Sequence, residues 1–161
     1  MSERSRRQER PSTAPGIRGE TMKISPRMAA FVDALPLRPG MRVLEIGCGP
    51  GAAARAVLGR IGDGRVLAID RSAKAIAQAT RSSAAEMASG RLQFRCVAIE
   101  DFVLQMGERP YDLAFAMRVG ALDGRHPDAG RAALVRLRLA LAADGRLLVD
   151  GGDPLREVAV R

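Results

Sequence analysis

Tryptophan is absent from this 161-residue chain, which holds one tyrosine, four phenylalanines and one histidine. Aromatic residues make up only 3% of it. Nucleic-acid binding by base stacking needs aromatic platforms, so that mode is disfavoured. Cysteine is scarce too, with Cys48 and Cys96 alone. Two cysteines give no disulfide framework, and both are read as free thiols in a reducing setting, as small buried side chains rather than nucleophiles. No apolar run reaches the length of a bilayer crossing, which excludes a transmembrane helix. The N-terminal stretch lacks the apolar segment of a secretory signal, and Glu3 and Glu9 argue against a transit peptide. The expected location is cytoplasmic. Lysine is nearly missing as well: Lys23 and Lys74 stand against a large excess of arginine.

The charge that is present is positive. Lysine and arginine total 26 against 18 acidic residues, for a net charge of +8. Arg38, Arg42, Arg55, Arg60, Arg65, Arg81 and Arg91 are scattered along the chain. They read as compositional bias rather than as a binding patch, and nucleic acid is an unfavoured partner. Residues 1–20 are charged, proline-containing and without periodicity. Such a stretch cannot bury enough apolar surface to order itself, so it is read as a flexible basic tail, the one route by which nucleic acid could be met. Residues 21–161 then form a single domain, long enough for a real core.

Ser25-Pro26 reads as a helix cap followed by proline at the first helical position. Met28, Phe31, Val32 and Leu35 share one helical face. Strands are expected at Arg42–Ile46, Arg65–Asp70, Arg91–Ala98, Tyr111–Met117 and Arg146–Asp150. Helices are expected after Gly51 to about Ile61, from Ala73 to about Ala88, and from Asp128 to Ala142. Val158–Val160 is a short candidate strand. Alternation of this kind builds βαβ units and a parallel sheet with helices on both faces.

In such a sheet, ligands sit at the carboxyl ends of the strands. Gly47, Gly49 and Gly51 follow the first strand, and Asp70 ends the second. Ile99, Glu100 and Asp101 follow the third. Arg118 follows the fourth, with Gly120 and His126 beyond it. A carboxylate at Asp70 is placed to accept hydroxyl protons from a ribose. The glycines are spaced G-x-G-x-G rather than G-x-G-x-x-G. Pro50 removes a backbone donor that a phosphate needs. Glu45 puts negative charge beside the turn. A dinucleotide is therefore disfavoured, and a ligand that is cationic near the turn is favoured. S-adenosylmethionine has that chemistry.

The stretch Val43-Leu44-Glu45-Ile46-Gly47-Cys48-Gly49-Pro50-Gly51 resembles motif I of class I S-adenosylmethionine-dependent methyltransferases. Asp70, Tyr111–Met117 and Leu141–Leu148 match further family motifs, and the resemblance covers about residues 25–152. It implies a Rossmann-like sheet of order 3-2-1-4-5, with the family's C-terminal hairpin reduced or absent. In that order Cys48 and Cys96 lie on strands two places apart, too far to bridge. The resemblance also implies that Gly47, Gly49 and Gly51, with Cys48 in the same turn, line the methionine part of the cofactor. Glu45 would orient the turn or reach the amino group through water. Asp70 would hold the ribose. Arg71 and Ser72 would border the adenine, Ile99 and Glu100 would flank its edge, and the carbonyl of Arg118 would face the sulfonium.

Two departures stand out. Ala98 occupies the position where many relatives carry an aspartate to the adenine. Little chain follows Asp150, so the fifth strand would be an exposed edge unless that tail or a second copy covers it. A homodimer is one way to do so. No N-P-P-Y-like stretch follows the fourth strand, which argues against amide or base nitrogens as acceptors. The expected function is methyl transfer to a small molecule. The alternatives are an RNA or protein methyltransferase and a non-catalytic cofactor-binding scaffold. Methyl transfer needs alignment more than a base. His126 reads either as a base or as a loop and capping residue, and Arg118 as a second weak catalytic candidate. No metal is expected.

Overall fold

A computed structural model describes residues 24–160. Helix α1 runs Pro26–Ala34. Strand β1 (Arg42–Ile46) leads through the glycine turn to α2 (Ala52–Leu58). Strand β2 (Arg65–Asp70) is followed by α3 (Ala73–Ser82) and α4 (Ala84–Ala88). Strand β3 (Leu92–Cys96) leads into a single 3-10 turn at Ile99–Asp101. Strand β4 (Tyr111–Ala116), α5 (Pro127–Ala140), β5 (Leu141–Asp150) and β6 (Leu155–Val158) complete the chain. The six strands form one sheet of order β3-β2-β1-β4-β5-β6. The first five are parallel and β6 is antiparallel to β5. The Rossmann-like order expected from the sequence is present.

Side chains alternate across a strand, so each strand feeds two cores. Val43, Val66, Ala68, Leu113, Phe115 and Leu148 meet α1 and α2 on one face. Leu44, Ile46, Leu67, Ile69, Ala114, Leu147 and Val149 meet α5 on the other. Ser25 caps α1 by accepting the N–H of Met28 at 3.3 Å, and Pro26 follows it. Phe31 is buried with its ring centroid 6.0 Å from that of Phe115, fixing α1 to the sheet.

Four details differ from the sequence reading. The long helix after Asp70 is broken at Ser83, which is fully buried and accepts a hydrogen bond from Arg55 of α2 at 2.7 Å. Ser83 itself has non-helical backbone angles, φ −125° and ψ 24°. The helix before β5 stops at Ala140, because Leu141 already pairs with Tyr111 ahead of a bulge in the ladder. The last strand is Leu155–Val158 rather than Val158–Val160, and Arg146 clasps Glu157 across the β5–β6 pair at 2.7 Å. It covers β5, so β5 is not an edge. Cys48 and Cys96 are free as expected, yet Cys96 is exposed, since it ends the outer strand β3.

No helix among the described residues is long and apolar enough to cross a membrane. No group of potential metal ligands occurs among them either. The basic tail at 1–20 lies outside the described residues.

Candidate cofactor cleft

The glycine turn is pinned to the end of β2 from three directions. The N–H groups of Gly47 and Cys48 both donate to the carbonyl of Ile69, at 2.8 and 3.0 Å. The N–H of Gly49 donates to Asp70 Oδ2 at 2.9 Å. The other oxygen of Asp70 accepts from Ser72 N at 2.8 Å, just where Ser72 caps α3. Asp70 therefore holds the turn and the next helix together, and each of its oxygens keeps a further lone pair for a ligand. Gly47, Gly49 and Gly51 all have positive φ. A Cβ on Gly47 would sit 2.6 Å from Val119 Cγ2, so only glycine fits beneath that side chain.

Glu45 points from β1 to the α2 face of the sheet, opposite Ala68 and Phe115. It is 5% exposed, and its Oε2 has no hydrogen-bond partner. Burial pushes its carboxyl up to about 8; a backbone bond from Ala54 works the other way, and the nearby Asp70 charge adds to the rise. A buried carboxyl with one oxygen unpartnered, just below the turn, suits a cation bound above it. Burial, with Glu45 and Asp70 nearby, also pushes the Cys48 thiol well up, so it is no nucleophile at neutral pH.

A cleft of about 820 Å³ opens at the carboxyl ends of β1, β2 and β4. Gly47, Asp70, Arg71, Ile99, Glu100 and Arg118 line it, as do Val97 and Ala98. The structure thus brings together the predicted residues from four separate loops. Glu45, Cys48, Gly49, Gly51 and Ser72 are not in its lining; they shape the turn from behind. Arg136 of α5 donates to the carbonyl of Glu100 at 3.2 Å, fixing the loop after β3.

The far wall comes from the segment after β4. Arg118 has φ of 56°, in the left-handed region, unlike any other non-glycine described residue. Its N–H donates to Asp150 Oδ1 at 3.0 Å, and Asp150 also pairs with Arg27 of α1 at 2.9 Å. The carbonyl of Arg118 accepts from Arg125 at 3.4 Å. His126 stands at the N-cap of α5 without a side-chain capping bond, and its ring packs over Gly120. Both Arg118 and His126 line the cleft, as do Val119, Ala121, Arg125 and Asp128, which sequence reasoning did not single out. Only the Arg-rich loop composition between β4 and α5 could have signalled them.

Comparison with known proteins bears on this site directly. A methyltransferase domain family matches residues 43–145. The chain is 36% identical over 143 residues to a protein-L-isoaspartate O-methyltransferase of Methylorubrum populi, covering 89% of this chain and 60% of that protein. It therefore spans about 60% of that relative's length. A methyltransferase from Thiobacillus denitrificans, in complex with S-adenosyl-L-homocysteine, shares the fold at TM-score 0.60 and 24% identity, over 78% of this chain and 48% of that one. The [4+2]-cyclase SpnF superposes at TM-score 0.61 with 26% identity, over 76% and 42% of the two chains. With its match running from the first strand to the turn inside the fifth, this chain belongs to the S-adenosylmethionine-dependent methyltransferase family.

Proposed function

We propose that the protein is a methyltransferase that binds S-adenosylmethionine in the cleft above the glycine turn and passes its methyl group to an acceptor seated against the 118–129 wall. The carrying observation is the pairing of Asp70 in the cleft lining with the buried carboxyl of Glu45, unpartnered at Oε2, under the turn. The first suits a ribose and the second suits the cationic end of the same ligand. Gly47 lets the ligand approach the backbone closely, and Pro50 leaves the turn poorly equipped for phosphate. Arg71, Ile99 and Glu100 border the adenine end. The bound cofactor supplies an activated methyl group. The chain's own task is to align the acceptor and exclude water. His126 is placed to take a proton from an acceptor at that wall.

The acceptor is proposed to be a small molecule, since the cleft volume accommodates the cofactor and one compact partner. A protein acceptor is the second reading, because the Methylorubrum populi relative is named for one. Calorimetry with S-adenosylmethionine, S-adenosylhomocysteine and NADH tests the cofactor assignment: heat with the first two alone is expected, and silence from both sinks it. Transfer of a labelled methyl group to a peptide containing L-isoaspartate, compared with a small-molecule acceptor panel, separates the two acceptor readings.

A further inference from the structure

Parallel strands bring their starting residues to one edge as surely as their ends to the other. Arg42 opens β1, Arg65 opens β2, and Arg91 immediately precedes β3. These arginines are far apart in the chain, yet they line one cleft of about 300 Å³ at the amino ends of the strands, opposite the cofactor cleft. Arg95, Glu108 and Tyr111 complete its walls.

The one carboxylate there is already used. Glu108 accepts two bonds from Arg95, at 3.1 and 3.2 Å, one from Gln105 N at 2.8 Å, and one from the Tyr111 hydroxyl. The ion pairs among the described residues do not include Arg42, Arg65 or Arg91. Arg65 and Arg91 spend single guanidinium nitrogens on backbone carbonyls, Arg65 on Gly90 and Arg91 on Gly62 and Gly64. Those bonds aim the planar groups and leave other N–H donors over. Arg42 stacks over Tyr111 at 5.3 Å, and its Nε is buried without any partner. A buried guanidinium donor left empty is costly, and three convergent cations repel one another.

We propose that this cleft is a second ligand site, separate from the methyl-transfer site, that takes a phosphate-bearing anion of charge −2 or more, with a diphosphate group as its best match. Three guanidiniums match several equatorial oxygens by paired N–H···O bonds, a geometry lysine cannot supply. A single carboxylate has too few oxygens and too little charge for three such donors. Free diphosphate and a nucleoside diphosphate present the same anion to these walls, and the titration below distinguishes the two sources.

The experiment is calorimetric titration of the full chain at fixed ionic strength with inorganic pyrophosphate, ADP and adenosine. Pyrophosphate or ADP binding, with adenosine silent, supports the site and shows which source it accepts. Arg65→Gln should weaken that binding by about tenfold, the loss of one charge-assisted contact, and the Arg65→Gln/Arg91→Gln pair should abolish it. Arg125→Gln, in the opposite cleft, should leave it within about twofold. Arg65→Gln removes only one exposed bond to a carbonyl, so folding is retained where the double variant fails. No heat from pyrophosphate or ADP at millimolar concentration overturns the proposal, and so does a loss in Arg125→Gln equal to that in Arg65→Gln. Neither result bears on S-adenosylmethionine binding, which is read separately.

Discussion

Glu45 is the carboxyl of the site that burial perturbs. Its carboxyl ordinarily ionises near 4.5, and burial raises it to about 8 in the folded protein. Between those values the unfolded chain has released its proton while the folded chain keeps it. Stability therefore falls as pH rises from about 4.5 to about 8, with a slope of up to about 1.4 kcal/mol per pH unit from this one group. Glu45→Gln removes the ionisation and keeps the shape. Urea unfolding at pH 5, 6.5 and 8 should show the variant's stability flatter with pH than the wild type, and an identical slope would put the strain elsewhere. Asp70, by contrast, has both its oxygens satisfied by backbone donors. Asp70→Ala should cost about 1.5–3 kcal/mol through those charge-assisted bonds and weaken S-adenosylmethionine binding by at least about tenfold, one lost hydrogen-bonded contact's worth. Unchanged affinity would show that the carboxylate serves the turn alone. Asp70 was legible in the sequence because strand, turn and spacing placed it. Its grip on Gly49 was not, since nothing in the spacing says which way a carboxylate will turn.

At the scale of elements, the apolar runs and the glycine turn carried most of the information. β1, β2 and β4 are buried on both faces, and their continuous hydrophobic runs announce it. What pattern could not show were the places where tertiary bonds override local preference. The break falls at Ser83, where Arg55 donates to its hydroxyl, and α5 ends early where Leu141 is drawn into the ladder. α1 is held to the sheet chiefly by its buried residues Phe31 and Val32. Phe31→Ala should cost about 3–5 kcal/mol, read by chemical denaturation, and should leave cofactor affinity unchanged, since α1 does not line the cleft. The glycine turn is held by sterics instead. Gly47→Ala meets both a positive φ and the Val119 methyl. It should lower stability by about 1–3 kcal/mol, and adding Val119→Ala should recover the steric part while leaving the backbone part. Full additivity in that double-mutant cycle would mean the two residues do not interact.

The molecule as a whole is organised by the polarity of its sheet. Arginines that look scattered in the sequence converge at the amino ends of the strands, while the buried carboxylate and Asp70 lie near the carboxyl ends. Contact between residues distant in the chain is a property of strand order, so composition alone read those arginines as dispersed. The buried carboxyl of Glu45 predicts a proton linkage to cofactor binding. In the free protein at pH 7 Glu45 is mostly protonated, because burial raises it to about 8. A ligand bringing positive charge over the glycine turn favours the carboxylate and lowers that value again. Binding should then release close to one proton at pH 7, about nine tenths from a group titrating at 8. Calorimetry in phosphate and in Tris reads it, since the released proton adds each buffer's own heat of protonation to the observed enthalpy. The two enthalpies should differ in wild type and agree in Glu45→Gln, and affinity should climb with pH through neutrality and level off above about 8 as the cost of deprotonation disappears. Equal enthalpies in the two buffers for the wild type would mean that Glu45 keeps its proton in the complex, and that the cationic end of the ligand lies elsewhere in the cleft.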